Sequence, residues 1–180
     1  MKKINPFWMT VCIIAALAAI MLCVVGSHNG VLLASPGGDP QAAAAAFLDA
    51  LKTGNYAKVN SCLSGYSTLG LEEEPASEEG KILLNAVRGS YDYTLSGECV
   101  RNGVKASQKI LFTRLDAAKM SAAAEAMTDR DFVSALSDRA QNAALYETSD
   151  ILDISLEYKD RMWRIIPDDA LITALRGGLN

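Results

Sequence analysis

YDYTLSGECVRNGVKASQKILFTRL, residues 91–115, is the stretch on which the fold turns. Its first half sets Tyr91, Tyr93, Leu95, Gly97 and Cys99 against Asp92, Thr94, Ser96 and Glu98. Such alternation marks a strand with one wet face, because successive side chains leave a pleated backbone on opposite sides. Asn102-Gly103 then supplies a two-residue hairpin turn, since both residue types accept the left-handed backbone it needs. Folding about that turn predicts Tyr93 opposite Phe112, Leu95 opposite Ile110 and Cys99 opposite Ala106. The other face then pairs Ser96 with Lys109 and Glu98 with Ser107. One placement sorts both faces, whereas a slip by one residue would invert every side chain.

Upstream of the hairpin the period changes to that of helices. Asp39-Pro40 reads as an N-cap followed by proline at the first helical position. Ala43, Ala46, Phe47, Ala50 and Leu51 recur at three and four, giving a helix to Lys52 with one apolar face. Thr53-Gly54-Asn55 ends it, and Tyr56 to Leu63 forms a second short helix presenting Val59 and Leu63. Pro75 is expected to open a third, with Ile82, Leu83, Ala86 and Val87 inward and Gly89 at its end. The surrounding Glu72, Glu73, Glu74, Glu78 and Glu79 suit the positive end of a helix. They lack the alternating oxygen ligands and turn glycine of a calcium loop.

Downstream, Asp116 caps a predicted helix to Met127, and Thr128 to Asp131 restarts one that runs to about Tyr146. Its expected buried stripe is Phe132, Leu136, Ala140 and Ala143. From Ile151 the two-residue period returns with Leu152, Ile154, Leu156 and Tyr158 on one face. A turn near Asp160 leads to Trp163 and Ile165, and Pro167-Asp168-Asp169 starts a last helix stopped by Gly177-Gly178. Strands joined by tight turns, with helices before and between them, make an α+β domain: an antiparallel sheet with helices on one face.

The chain begins Met1-Lys2-Lys3 and then runs 19 uncharged residues from Phe7 to Val25. As a helix that segment is roughly 28 Å long, near the hydrocarbon thickness of a bilayer at about 30 Å. The lysines before it predict a cytoplasmic N-terminus with the remainder exported. An uncleaved signal anchor or transmembrane helix fits the length best, since a cleavable apolar core usually runs about 7–15 residues. Cleavage after Gly26 and lipid attachment at Cys23 are the alternatives, the latter disfavoured by the bulky Leu22 before the cysteine. The organisation expected is therefore a signal anchor over residues 1–27, a flexible linker over 28–38 and an ectodomain over 39–180. His28, the sole histidine, falls in the linker.

Charge and composition exclude several functions. The net charge is −4, and setting Lys2 and Lys3 aside leaves 15 basic against 21 acidic residues, a net of −6. An acidic domain without a basic stripe is a poor match for nucleic acid. Without a domain histidine there is no Ser-His-Asp triad and no histidine–cysteine metal set, and no cofactor motif follows any strand. Cys62 and Cys99 are either small buried thiols or, outside the cytoplasm, one disulfide.

The order of elements resembles the nuclear-transport-factor-two-like superfamily, which includes the ketosteroid isomerases. The residues that carry the likeness are the helix from Asp39-Pro40 to Leu51 and the stretch from Tyr91 to Leu115 running into Asp116. LEYKDRMWRIIP at 156–167 and the terminal helix to Gly177-Gly178 add to it. Within that superfamily the chain is similar to small exported or lipid-anchored proteins of Gram-positive bacteria. The resemblance implies a strongly curved sheet holding the N-terminal helices in its concave face, a cone. Two features depart from it: Arg161 stands where a turn glycine is expected, and residues 116–146 are long for the basic cone.

That fold hosts isomerases, dehydratases and scaffolds alike, so function has to come from a site. Tyr91, Tyr93, Gln108 and Arg114 share the face expected to be buried, and they are the candidate lining of a mouth for a small anionic or polar ligand. The competing reading places Tyr93 in the core and Arg114 at the sheet edge with its head in water. The leading functional expectation is a membrane-tethered binding or scaffold domain without catalysis, engaging an unknown protein or small ligand. A small isomerase- or dehydratase-like enzyme is the alternative, and pairing of two copies through the convex sheet face, near Val100 and Leu111, is a third.

Overall fold

The computed structural model describes residues 37–65 and 68–178. The expected anchor at 1–27 and linker residues up to 36 lie outside that range. Among the described residues no helix is long and apolar enough to cross a membrane.

Four antiparallel strands form one sheet in the order β1-β2-β3-β4: β1 is Asp92–Asn102, β2 Lys105–Leu115, β3 Glu147–Lys159 and β4 Met162–Ile166. Among the described residues six α-helices accompany it: α1 (Pro40–Lys52), α2 (Tyr56–Ser61), α3 (Glu78–Gly89), α4 (Ala117–Glu125), α5 (Phe132–Ala140) and α6 (Asp169–Leu175). Each starts at a side chain that accepts an otherwise unpaired backbone N–H. Asp39 takes Gln41 N at 2.9 Å, Asn55 takes Lys58 N at 3.1 Å, and Asp116 takes Lys119 N at 2.9 Å. Asp131 takes Ser134 N at 3.0 Å and Asp168 takes Leu171 N at 2.8 Å. For α3 the cap is Ser77, whose Oγ accepts from Gly80 N at 3.1 Å. The third helix thus starts later than Pro75, because a hydroxyl cap outcompetes a proline that merely tolerates the first turn.

Two further expectations are corrected between α4 and β3. The helix expected to reach Tyr146 stops at Ala140, and a 3-10 turn, Ala143–Tyr146, leads into a strand that begins at Glu147 rather than Ile151. Ala135 and Leu136 are the buried residues of α5, with Phe132, Ala140 and Ala143 packed at the core's margin.

In the first hairpin, Tyr93 faces Phe112, Leu95 faces Ile110 and Ser96 faces Lys109, as the sequence predicts. Beyond Ser96 the register shifts: Val100 faces Ser107, Arg101 faces Ala106 and Asn102 faces Lys105. Gly97, Glu98 and Cys99 together oppose Gln108, so the expected pairs Cys99–Ala106 and Glu98–Ser107 do not form. The loop is Gly103-Val104, with only Gly103 at positive φ (61°), instead of Asn102-Gly103. Gly97, at φ 71°, supplies the backbone turn that the bulge requires.

The core lies between one face of the sheet and the helices. Phe47, Leu48 and Leu51 of α1 pack with Ile110, Phe112, Ile154, Leu156 and Ile165, all at most 1 % exposed. Leu115, Met120, Leu136 and Leu175 extend it toward the far end of β2. There Gly177 closes the structure: its carbonyl accepts from Ala117 N at 3.2 Å. A β-carbon at Gly177 would sit 2.6 Å from Val87 Cγ2, and its φ is 69°. The edge of β4 is covered by the segment after α2, with Ile165 N donating to Cys62 O at 2.8 Å and Ser64 N donating to Ile165 O at 2.7 Å.

Candidate functional site

The four residues singled out from the sequence take four different roles. Tyr91 is 4 % exposed, stacks obliquely on Phe112 at 5.6 Å, and its hydroxyl donates to the Leu175 carbonyl. Burial pushes its phenol above the ordinary tyrosine range, with Arg88 and Arg114 pulling the other way. Tyr93 is half-buried and donates to Asp49 Oδ1 at 2.7 Å, tying β1 to α1. Desolvation first, and then that carboxylate, push its phenol up to about 12.

Gln108 is fully buried opposite the bulge, where its Nε2 donates to Lys109 O at 2.8 Å and to Ser96 O at 3.4 Å. Among the described residues its Oε1 has no hydrogen-bond partner. Arg114 donates to Asp150 Oδ2 at 3.0 Å and to Leu115 O at 3.4 Å. Tyr91 and Phe112 share the inner face with all of these, but Tyr91, Tyr93, Gln108 and Arg114 line neither of two hollows in the surface.

The larger hollow is a cleft of about 370 Å³ between α3, the loop before it and the end of α6. Leu71 and Pro75 form the loop wall, Leu83, Leu84 and Val87 the helix wall. Glu73 and Glu74 stand on the loop lip and Arg176 on the opposite lip. Local chemistry fixes both walls. Arg88 donates to the carbonyls of Leu71 and Glu73, the latter at 3.2 Å, and lies 5.2 Å from the centre of the Tyr56 ring. At Gly80 a β-carbon would come within 2.6 Å of Pro75 Cβ, so the loop rests directly on the helix backbone. Gly177 seats the end of α6 against Val87 and thereby places Arg176 at the rim.

This cleft was not visible as a site in the sequence, because its walls come from residues 70–75, 80–87 and 176. One signal was available: Leu84 stands off the apolar stripe of α3, next to Leu83, and is only half-buried. A second hollow, about 350 Å³, lies between α4 and α5 and is lined by Met127, Arg130 and Phe132 among others. Arg130 there is committed to Asp138.

Among the described residues no group of three or more His, Cys, Asp or Glu side chains is placed to hold a metal ion. Cys62 and Cys99 are free and half-buried; burial, and Asp39 next, push the Cys99 thiol up. Comparisons with protein-family models, curated proteins and solved structures return no match.

Proposed function

We propose that residues 39–180 form a non-catalytic binding or scaffold domain with the cone-like architecture of the nuclear-transport-factor-two-like superfamily. In this reading residues 1–27 hold the domain at the outer side of a membrane and residues 28–38 are its tether. The observation that carries the non-catalytic part is the filling of the space between sheet and helices. Phe47, Leu48, Leu51, Ile110, Phe112, Ile154, Leu156 and Ile165 occupy it, and the buried polar side chains among the described residues are Ser64 and Gln108. An isomerase or dehydratase of this shape needs a carboxylate or histidine base aimed into an open interior beside an acid or donor.

One observation favours the enzymatic alternative: Asp150 and Arg114 stand together at 3.0 Å near the end of the sheet. They satisfy each other, and the Asp150 side chain is 43 % exposed. Pairing of two copies through the outer sheet face has its own support in the facing Leu111 and Ile151, exposed by 41 % and 73 %. That strip is narrow, since Thr113–Ser149 and Lys109–Asp153 flank it.

Two measurements test the proposal. Purified chain is screened for small-ligand binding and for turnover of enone and hydroxyacyl substrates, alongside Arg114→Ala and Asp150→Asn. No turnover is the expected result; turnover lost in Arg114→Ala or Asp150→Asn would replace the scaffold with an enzyme. A C-terminally tagged chain is expected in the membrane fraction, digested by protease added to intact cells. A tag found soluble in the cell interior sinks the tether.

A further inference from the structure

The cleft beside α3 has the size, lining and stiffness of a recognition site, and its two lips differ in charge. At about 370 Å³ it falls near the lower end of ligand pockets, which span about 300–1,000 Å³. That is room for one or two inserted side chains. Its walls are aliphatic, Leu71 and Pro75 facing Leu83, Leu84 and Val87. Leu83 and Leu84 are only half-buried, so apolar surface remains for a partner to cover. The walls are also set in advance, by Arg88 on the loop carbonyls and by the tight seats of Gly80 and Gly177. Preformed walls lower the ordering entropy that binding otherwise costs.

The rim decides the occupant. Glu73 and Glu74 hold the loop lip, while Arg176 alone faces them from α6. We propose that this cleft docks a basic peptide segment of a partner protein. The segment inserts an aliphatic side chain between Pro75 and Leu84 and lays flanking lysines or arginines along Glu73 and Glu74. Arg176 sets the orientation by repelling cations from the opposite lip. This inference rests on the reading of the domain as a binding module and specifies the chemistry of its partner.

The test uses the full-length chain and three fluorescein-labelled, amidated pentapeptides: Lys-Lys-Leu-Lys-Lys, Lys-Lys-Ala-Lys-Lys and Glu-Glu-Leu-Glu-Glu. Fluorescence anisotropy is read at low ionic strength, where exposed charges are least screened. The leucine peptide is expected to bind about 10-fold more tightly than its alanine counterpart, because one aliphatic anchor leaves water. The acidic peptide is expected not to bind. E73Q/E74Q should weaken the leucine peptide about 5-fold, the scale of two exposed ion pairs. Arg176→Glu should tighten it, and Leu84→Gln should erase the leucine preference.

These substitutions lie at exposed or half-buried positions, and circular dichroism checks that each variant is folded. Equal binding of the leucine and alanine peptides overturns the proposal, as does equal binding of the acidic one or a flat trace for all three. Such results remove the cleft alone. The wider non-catalytic reading falls to a different result, turnover lost in Arg114→Ala or Asp150→Asn.

Discussion

The two hairpins of the sheet close with loops of two residues each, yet they place their backbone strain differently. In the first, glycine takes the positive φ angles, at Gly97 within β1 and at Gly103 in the loop. The irregularity is spread along the strand: three residues of β1 oppose the single Gln108 before pairing resumes. The second hairpin pairs without interruption from Ser155–Ile166 to Lys159–Met162. Its loop is Asp160-Arg161, both at positive φ (52° and 65°) without a glycine. A side chain in that conformation costs about 1–2 kcal/mol, and here packing offsets it. Tyr158 and Trp163 meet edge to face at 5.5 Å, Ile165 is fully buried, and Cys62 and Ser64 bond to β4 from outside. A hairpin held on its flanks can keep an unfavourable loop; one at the end of the sheet uses glycine instead.

Four substitutions probe that difference, taken from the largest effect down. Phe112→Ala empties the most enclosed aromatic position of the first hairpin, 1 % exposed and against Tyr91. It is expected to lower unfolding stability by about 3–5 kcal/mol in urea titration. A loss under 1 kcal/mol would mean the first hairpin is not anchored through its inner face. Gly97→Ala should cost about 1–2 kcal/mol, purely from backbone handedness, since a β-carbon there meets nothing within 4 Å.

Arg161→Gly should act with the opposite sign, gaining about 1 kcal/mol after the entropy that glycine loses on folding. If both glycine exchanges move stability in the same direction, the contrast between the hairpins is wrong. Tyr93→Phe is the smallest at neutral pH, about 0.5–1 kcal/mol for one partly exposed hydrogen bond. Its mark is in alkali. Because the folded phenol ionises near 12 rather than 10, its contribution is complete below pH 10 and is lost as pH rises toward 12. The Phe variant should lack that part of the alkaline decline, as read by denaturation at pH 9, 10.5 and 12.

The alternation that made the first hairpin legible is also what hid its bulge. Two extra residues in β1 leave every later side chain on the face that strict alternation assigns. Val100 is outward and Ala106 inward in either register, so the pattern of residues 91–115 fixes faces but not pairs. Helix starts were legible at the caps Asp39, Asn55, Asp116 and Asp168, whereas the capping box read from Thr128 gives way to a later cap at Asp131. Pro75 misled because proline permits a first turn without specifying one, while Ser77 binds it. The candidate mouth rested on shared strand parity, which places Tyr93, Gln108 and Arg114 on one face but says nothing of their partners. Asp49 and Asp150, which satisfy Tyr93 and Arg114, are 44 and 36 residues away in sequence.

The bulge also governs how copies of this chain tolerate one another when concentrated. β4 is covered, whereas β1 is the terminal strand of the sheet among the described residues. A straight margin of that kind templates stacking of neighbouring molecules, and a kink at its middle spoils the template. Excising Gly97 and Glu98 would leave both faces of the hairpin intact and the margin flat. Such a shortened chain should keep its circular dichroism when dilute and scatter light on standing at high concentration, trading solubility for regularity.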